Sequence, residues 1–283
     1  NSYYSVKLKK SRLEALKVYK NYKFFKFDLK KKIKLNKIFK KNKIEYVFHL
    51  AAQAGVRYSI DNPRKYIDSN VLGFYNILEV ARDYKIKRLF YASSSSVYGD
   101  SKNFPLKEEY ILNPNNPYSL TKKFNEDLAA TFNRYYKINL TGIRFFTVYG
   151  EWGRPDMFIS KIILSKLKNK KFLLNNFGNH SRDFTYIGDV VKILYKMLKL
   201  KKQPGNEIVN ISSNKPLKLL NVINLIEKYL GKISIIKQKL QLADVIKTHG
   251  CNKKIKKITS FKKFSKFEES LKKTIDWSIK YYK

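Results

Sequence analysis

Strand-like and helix-like hydrophobic patterns alternate through the first half of the chain. Residues 22–29 alternate apolar and polar side chains, as a strand with one solvent-facing side does. Residues 44–52 form a β-branched and aromatic run, which predicts a strand buried on both faces. Residues 86–93 and 140–146 predict two further strands.

Helical patterns separate these strands. A lysine-rich helical stretch follows residue 29, and residues 66–82 repeat apolar side chains at helical spacing. Residues 118–136 predict a long helix before the fourth strand. Because strands alternating with helices imply right-handed crossovers and a parallel sheet, the fold class is α/β, with helices flanking the sheet.

The pattern loosens in the second half. Residues 208–211 predict a short strand, and residues 219–230 predict an amphipathic helix. We therefore divide the chain into a first domain, residues 1–149, and a smaller α/β lobe, residues 150–283, interleaved with it. Ligands of open parallel sheets bind beyond the carboxyl ends of the strands, so the chemistry is expected just after each strand.

The chain is strongly basic. Of 283 residues, 60 are Lys or Arg and 22 are Asp or Glu, a formal net charge of +38. This excess makes a nucleic-acid partner the first hypothesis to test. However, the lysines spread along the whole chain, without zinc-ligand spacing, heptads or an RNA-binding aromatic signature. We interpret them as solvated surface residues that attract anionic substrates, and expect no specific nucleic-acid site and no metal.

Composition also bounds the compartment. Apolar residues make up 43% of the chain, enough for a buried core. The single cysteine, Cys251, excludes an internal disulfide and fits a reducing cytoplasm. No stretch approaches the about 18 to 20 consecutive apolar residues of a membrane span, so none is expected.

Two predicted strands are followed by residues suited to binding. The small side chains after His49 let backbone approach a ligand closely, although Ala and Gly also serve helix–sheet packing. Four serines, residues 93–96, follow the next strand. A serine run is usually a linker, but this one lies between a buried strand and a turn, where its hydroxyls would point into a cleft.

Tyr118 and Lys122 lie one helical turn apart on one helix face. A protonated lysine near a phenol, with a cationic cofactor close by, lowers the phenol pKa and makes it a usable base. The same spacing occurs six times in this Tyr- and Lys-rich chain. Only Tyr118 stands at a helix start after a serine-rich strand end, so its position singles it out.

Several segments together resemble a known family. They match the extended short-chain dehydrogenase/reductases that act on sugar nucleotides, and within them the UDP-glucuronate 4-epimerases. The subgroup rests on Thr147, on residues 153–157, and on Ser95 and Ser96, where related dehydratases carry an acidic pair. The segments are HLAAQAGVRYSIDNP (49–63), YASSSSVYG (91–99), YSLTKK (118–123), RFFTVYGEWGRPDM (144–157) and RDFTYIGD (182–189).

The resemblance implies a Rossmann-like fold and a set of catalytic roles. Tyr118 would take the proton from the sugar 4-hydroxyl while the C4 hydride passes to NAD. Lys122 would hold the nicotinamide ribose and lower the tyrosine pKa, and Ser94 would hydrogen-bond the same sugar oxygen. The 4-keto sugar would then turn over and take the hydride back on its opposite face, which inverts C4.

The resemblance also implies binding residues. A ketone at C4 is β to the C6 carboxylate, so a firm hold on that carboxylate would prevent decarboxylation. Ser95, Ser96, Thr147 and Arg154 would provide it, Arg182 would grip the diphosphate, and Asp244 would lie near the uridine ribose. Surface ion pairs are the structural alternative for Arg182 and Asp244. The implied NAD-binding residues are Asp28, Leu29, Leu50, Ala51, Ala52, Gln53, Asn70, Tyr118 and Lys122.

The sequence departs from the family pattern at its start. The family's opening strand, glycine-rich loop and helix are missing, and the first glycine is Gly55. We therefore expect an N-terminally truncated NAD-binding domain, without a helix N-terminus for the pyrophosphate and with exposed strand edges. Smaller departures are Gly188, often Asp in the family, and Ala243, which replaces a glycine.

The leading hypothesis is a homodimeric UDP-glucuronate 4-epimerase that pairs through the helices of residues 66–82 and 118–136. One alternative is a different UDP-sugar 4-epimerase or a decarboxylase. Another is a catalytically inactive fragment that binds a sugar nucleotide or a polyanion.

Overall fold

Strands and helices alternate along residues 2–201, 205–241 and 244–283, which the computed structural model describes. A π-helical segment, Ile67–Leu72, lies between the fourth and fifth α-helices. The strands are β1 (Tyr46–His49), β2 (Arg88–Ser94), β3 (Leu140–Phe145), β4 (Thr147–Tyr149), β5 (Phe172–Leu174), β6 (Ser181–Tyr186), β7 (Asn206–Ile211), β8 (Pro216–Lys218) and β9 (Ile235–Lys237). The helices are α1 (Val6–Lys17), α2 (Lys32–Lys41), α3 (Val56–Asp61), α4 (Pro63–Tyr66), α5 (Gly73–Asp83), α6 (Pro117–Tyr136), α7 (Phe158–Leu167), α8 (Ile187–Leu198), α9 (Leu219–Leu230), α10 (Lys253–Thr259) and α11 (Phe267–Tyr282).

A parallel sheet with helices on both faces forms the centre of the molecule. Its strands follow the order β1-β2-β3-β7, and every neighbouring pair is parallel. Helices α2, α5 and α6 bury apolar side chains against one face, and α8 and α10 cover the other. The predicted α/β class is therefore confirmed. Strand β7 lies beyond the predicted boundary at residue 150, so the two halves of the chain are interleaved in this sheet.

A second group of strands builds a smaller lobe. Strands β4, β6 and β8 form one sheet, and β5 pairs with β9. Apolar side chains of α7, α9 and α11 pack with these strands into a separate core. Because β4 begins two residues after β3 ends, this lobe is joined directly to the carboxyl end of a central strand.

Two strand predictions near the start were wrong in part. Residues 22–29 contain no strand, although their alternating pattern predicted one. An extended segment becomes a strand only when a neighbour accepts its backbone hydrogen bonds, and no described strand lies beside it. Strand β1 forms as predicted but is not buried on both faces, since Phe48 is 37% exposed. Within the described chain β1 pairs only with β2, so one of its edges is open.

The start of α6 is strongly specified by local sequence. The Asn116 side chain accepts a hydrogen bond from the Ser119 backbone N–H at 2.9 Å, and Ser119 Oγ accepts one from the Asn116 N–H at 3.2 Å. This reciprocal pair is a capping box, and Pro117 occupies the first helical position, where its missing N–H costs nothing. Tyr118 is therefore held in the first turn of the helix.

A buried ion pair fixes α6 to the central sheet. Glu126 on α6 accepts two hydrogen bonds from Arg144 on β3, at 3.0 and 2.7 Å. Ser93 Oγ, at the end of β2, also donates to the Glu126 carboxylate, and Arg144 donates to the Tyr98 hydroxyl at 2.8 Å. Both charged side chains are almost fully buried. Because water does not reach them, each charge is stabilised mainly by the other and by these hydrogen bonds.

Removing one partner of this pair should destabilise the protein strongly. We expect Glu126→Ala to lower the free energy of unfolding by about 3 to 5 kcal/mol, because Arg144 stays buried without a counter-charge. Urea denaturation measures this change. The matched control is Asp127→Ala, which breaks an exposed pair with Lys123 and should cost less than about 1 kcal/mol. Equal effects of the two substitutions would contradict the conclusion that Glu126 stabilises the buried charge of Arg144.

Candidate active site

A large cavity lies at the carboxyl ends of β1, β2 and β3. Its volume is about 810 Å³, and both halves of the chain line it. A smaller cavity of about 160 Å³ shares Ser95, Ser96 and Thr147 with it. Parallel strands bring their carboxyl ends to one edge of a sheet, which is why these segments meet. The predicted site residues that line the large cavity are Leu50, Ala51, Ala52, Gln53, Ser94, Ser95, Ser96, Tyr118, Lys122, Thr147 and Arg154.

Tyr118 faces this cavity from the first turn of α6. Burial raises the pKa of its phenol, whereas a hydrogen bond with Ser94 and the positive charge of Arg154 act to lower that pKa. The net direction is upward. The phenol is therefore protonated near neutral pH unless further positive charge is brought beside it.

Lys122 is buried one turn along the same helix face. Its ammonium donates a hydrogen bond to the Ala92 carbonyl at 2.6 Å. Burial lowers the pKa of Lys122 to about 8, and the charge of Glu126 opposes that fall. In this structure the two groups that act to lower the Tyr118 pKa are Ser94 and Arg154. The effect of Lys122 on the Tyr118 pKa, expected with a cofactor bound, stays a prediction.

Asn70 organises the cavity wall from behind. Its side-chain amide accepts a hydrogen bond from the Gln53 backbone N–H at 2.7 Å and donates to the Gln53 carbonyl at 3.0 Å. It also donates to Thr121 Oγ1 on α6 at 3.0 Å. Asn70 therefore links the loop after β1 to the helix that carries Tyr118, although it does not itself line either cavity.

The loop after β1 leaves room for a ligand to approach its backbone. The small side chains of Ala51 and Ala52 leave its backbone open to the cavity, beside Lys122. Asp28 and Leu29, the other predicted NAD-binding residues, lie outside both cavities. The Asp28 carboxylate accepts from the Lys30 N–H at 2.9 Å, and the Leu29 carbonyl accepts from Asn76.

Hydroxyl groups and a guanidinium gather near Tyr118. Ser94 Oγ donates to Ser96 Oγ at 3.1 Å and accepts from the Ser96 N–H at 3.2 Å, so the serines after β2 form a fixed turn. Ser95 and Thr147 line both cavities at this point. Arg154 approaches from the smaller lobe and pairs with Asp156 at 2.7 Å. This group of donors is suited to an anionic ligand.

Arg182 and Asp244 line the smaller cavity. Arg182 donates to the carbonyls of Ser181 and Ile246, at 3.0 and 2.9 Å, and its burial lowers its pKa to about 10. Asp244 pairs with Arg57 at 2.6 Å. Asp244 therefore forms an ion pair, as the structural alternative to a binding role predicted. The hydrogen-bond partners of Arg182 are instead two backbone carbonyls. Ala243 lies outside the described residues.

The sequence analysis missed three residues that the fold brings to the site. Tyr3 lines the large cavity from the segment before α1, and its hydroxyl donates to Asp156 at 3.2 Å. Arg57 reaches Asp244 across 187 residues of chain. Arg57 and Asp156 lie in segments that carried the family resemblance, whereas Tyr3 lies outside those segments. Their pairing over such separations had no signal in a single sequence.

Comparison with known proteins defines the class to which this architecture belongs. The NAD dependent epimerase/dehydratase family matches residues 3–212, and the chain belongs to that family. A UDP-glucuronate 4-epimerase of Thermodesulfobacterium geofontis is 37% identical, over 98% of this chain and 86% of the relative. An uncharacterised protein of Methanocaldococcus jannaschii is 43% identical, over 99% of this chain and 86% of that protein.

A solved structure of similar shape carries the comparison further. The UDP-glucuronic acid 4-epimerase of Bacillus cereus, in complex with UDP-glucuronic acid and NAD, superimposes with a TM-score of 0.92 at 27% identity. The superposition covers 97% of this chain and 87% of that one.

None of the helices in the described parts of the chain combines the length and apolar character needed to cross a bilayer.

The pKa of Lys122 predicts a dependence of stability on pH. A pKa near 8 in the folded protein lies below the ordinary value of 10.5, so between these values the unfolded chain binds more protons. Stability contributed at this position therefore rises with pH across that window, by up to about 1.4 kcal/mol per pH unit. We expect urea denaturation from pH 7.5 to 10 to show that the free energy of unfolding of the native protein increases relative to that of Lys122→Met.

The adjacent Lys123→Met variant is the matched control, because Lys123 pairs with Asp127 at the surface. Its difference from the native protein should not grow with pH. Parallel pH curves for the native protein and Lys122→Met would show that the buried lysine keeps an ordinary pKa.

Proposed function

We propose that this protein is an NAD-dependent UDP-glucuronate 4-epimerase, which interconverts UDP-glucuronate and UDP-galacturonate through a 4-keto intermediate. The observation that supports this proposal most directly is that one cavity is lined by Tyr118, Lys122 and Ser94 together with Ser96 and Arg154. The phenol that would exchange a proton therefore lies in the same cavity as a hydroxyl and a guanidinium that can donate hydrogen bonds to a carboxylate. The similarity to UDP-glucuronate 4-epimerases supports the same substrate.

Tyr118 is the residue that moves the proton in this proposal. Its phenolate accepts the proton of the sugar 4-hydroxyl and later returns it to the oxygen at the inverted centre. When bound, NAD would accept the hydride from C4 and return it, and its oxidised nicotinamide ring would bring positive charge into the cavity. That charge would oppose the effect of burial and lower the Tyr118 pKa, as Ser94 and Arg154 also act to do.

Lys122 binds the cofactor ribose, and its hydrogen bond to the Ala92 carbonyl ties α6 to β2. Ser94 steadies the sugar oxygen that loses and regains its proton. Leu50, Ala51, Ala52 and Gln53 give the cofactor a close backbone contact, and Asn70 holds that backbone in place. Asp28 and Leu29 contact the adenine end.

The donor group near Tyr118 protects the intermediate from decarboxylation. Loss of carbon dioxide requires the breaking bond to align with the carbonyl π system. Ser95, Ser96 and Thr147 donate hydrogen bonds to the C6 carboxylate, and Arg154 adds charge, so the carboxylate is held out of that alignment. Arg182 grips the diphosphate in the smaller cavity, and Asp244 contacts the uridine ribose.

Removal of the Tyr118 hydroxyl tests the proposed base. We expect Tyr118→Phe to reduce conversion of UDP-glucuronate to UDP-galacturonate by at least about 100-fold, since general-base catalysis typically contributes that much. Chromatography of the UDP-sugars formed in the presence of NAD measures this. The control is Tyr195→Phe, which alters an exposed tyrosine with the same spacing to a lysine, Lys199.

Native-like turnover by Tyr118→Phe would refute the assignment of the base. A different product from the native protein, such as UDP-galactose from UDP-glucose or a UDP-pentose, would replace the proposed reaction with another UDP-sugar epimerase or a decarboxylase.

We also propose that the protein is a cytoplasmic homodimer that pairs through α5 and α6. Apolar side chains are exposed on these neighbouring helices: Tyr75 is 39%, Leu120 is 59% and Phe124 is 46% exposed. Leu120 and Phe124 lie one turn apart, so they form a continuous patch. A second copy of the same helix pair would bury this patch in an isologous interface.

Charges within this patch should separate the subunits. We expect the double variant Leu120→Lys, Phe124→Lys to have half the native mass, because an apolar interface does not tolerate buried unpaired ammonium groups. Light scattering after size-exclusion chromatography gives the masses. Ile111→Lys, at a site that is 93% exposed and outside these helices, should keep the native mass. A monomeric native protein would rule out the dimer.

A further inference from the structure

Three side chains form a row of contacts beside the large cavity, and the outer two, Tyr3 and Arg154, line it. The Tyr3 hydroxyl donates to Asp156 Oδ2 at 3.2 Å. Arg154 donates to both oxygens of the same carboxylate, from Nε to Oδ1 at 3.0 Å and from Nη2 to Oδ2 at 2.7 Å. The Tyr3 hydroxyl is thus linked to the guanidinium through one carboxylate, across 153 residues of sequence.

This pairing leaves one edge of the guanidinium open. A guanidinium can meet carboxylates along its Nε–Nη2 edge and along its Nη1–Nη2 edge, with two parallel N–H donors on each. Asp156 fills the first edge. Nη2 has one further, long contact with Met157 Sδ at 3.7 Å, and Nη1 has no hydrogen-bond partner among the described residues. Arg154 itself lines the cavity that contains Tyr118.

Tyr3 is held in a fixed position by its surroundings. Its ring packs on Tyr58 at 5.1 Å between centroids and on Tyr4 at 6.2 Å. The backbone at Gly55 is so close that a Cβ there would overlap the Tyr3 hydroxyl. Burial, followed by the charge of Asp156, raises the pKa of Tyr3 to about 12, so its hydroxyl remains a donor near neutral pH.

Asp156 is ionised in this arrangement. Burial acts to raise the pKa of its carboxyl group, but hydrogen bonds from Arg154, the Arg154 charge and the Tyr3 hydroxyl outweigh burial and lower it. The carboxylate therefore accepts from both neighbours at once. The ionised carboxylate thus orients the Arg154 guanidinium, whose remaining N–H groups are available to the cavity.

We propose that Tyr3 and Asp156 are positioning residues that hold Arg154 with its Nη1–Nη2 edge available to the C6 carboxylate of a UDP-uronic acid. The inference rests on the proposed function. A long arginine side chain loses considerable rotamer entropy when it binds a ligand, and prior immobilisation removes that cost from the binding step. Tyr3 and Asp156 therefore determine how strongly the site prefers an acidic sugar over a neutral one.

A competing role for Asp156 predicts the opposite effect of its removal on the binding of an acidic sugar. Asp156 could act as an internal carboxylate that competes with the substrate for Arg154. Its removal would then strengthen binding of an acidic sugar. The geometry favours positioning, because Asp156 occupies only one of the two edges of the guanidinium.

Binding measurements can separate these roles without turnover. Calorimetric titration of the protein with UDP-glucuronate and with UDP-glucose gives a preference ratio for the acidic sugar. We expect Arg154→Ala to reduce this ratio by about 10-fold or more, as loss of a charged hydrogen-bonding group does. Asp156→Ala and Asp156→Asn should each reduce it by about 3- to 10-fold, and Tyr3→Phe by about 2- to 3-fold, with UDP-glucose affinity unchanged.

A double-mutant cycle tests whether Asp156 acts through Arg154. In the Arg154→Ala background, Asp156→Ala should leave the preference ratio unchanged, because the side chain that it positions is gone. The matched control is Asp276→Asn, which breaks an exposed lysine–aspartate pair on α11 and should leave the ratio at its native value. A merely structural role of Asp156 would weaken both ligands in proportion and leave the ratio unaffected.

The outcomes distinguish this inference from the proposed function. An unchanged or increased ratio in the Asp156 variants, with a reduced ratio in Arg154→Ala, overturns the positioning role and leaves the function intact. So does an Asp156→Ala effect that persists in the Arg154→Ala background. Failure of the native protein to prefer UDP-glucuronate over UDP-glucose counts against the proposed function, and the inference falls with it.

Discussion

The docking of one face of α6 against the carboxyl end of β2 is the contact on which the site depends. Tyr118, Lys122 and Glu126 repeat at one-turn intervals, so a single orientation of the helix sets all three. The Lys122 ammonium is tied to the Ala92 carbonyl, and Glu126 to Ser93 and Arg144. Any rotation of α6 would break buried polar contacts, which are costly to leave unsatisfied. The helix therefore presents the phenol to the cavity in one position.

Burial acts on the two titratable groups in opposite directions. It raises the pKa of Tyr118 and lowers that of Lys122, since in each case the neutral form is favoured away from water. Neighbouring charges oppose both shifts: Arg154 acts on the phenol and Glu126 on the ammonium. The balance between burial and these charges makes the phenol responsive to what binds beside it. In the proposed function, Arg154 thereby connects the recognition of an acidic sugar to the group that exchanges its proton.

The two functions of the site draw on partly different segments of the chain. Proton transfer is assigned to Tyr118 on α6 and to Ser94 at the end of β2, which belong to the central sheet and its helices. Selection of an acidic sugar is assigned to Ser95 and Ser96, directly after β2, and to side chains from the smaller lobe and from the segment before α1, including Arg154 and Tyr3. Such a division allows the substrate preference to vary while the catalytic helix stays the same. It is consistent with a family that includes both epimerases and dehydratases.

The sequence by itself determined the alternation of strands and helices, the start of α6 and the segments that line the site, because hydrophobic period and helix caps are local properties. It did not determine that residues 22–29 form no strand or that Phe48 on β1 is exposed, because both depend on which strands and helices pack beside these segments. Nor could it reveal the contacts of Tyr3 with Asp156 or of Glu126 with Arg144. Those pairs form only when distant segments meet, and the tertiary structure alone decides which side chains then share a buried charge.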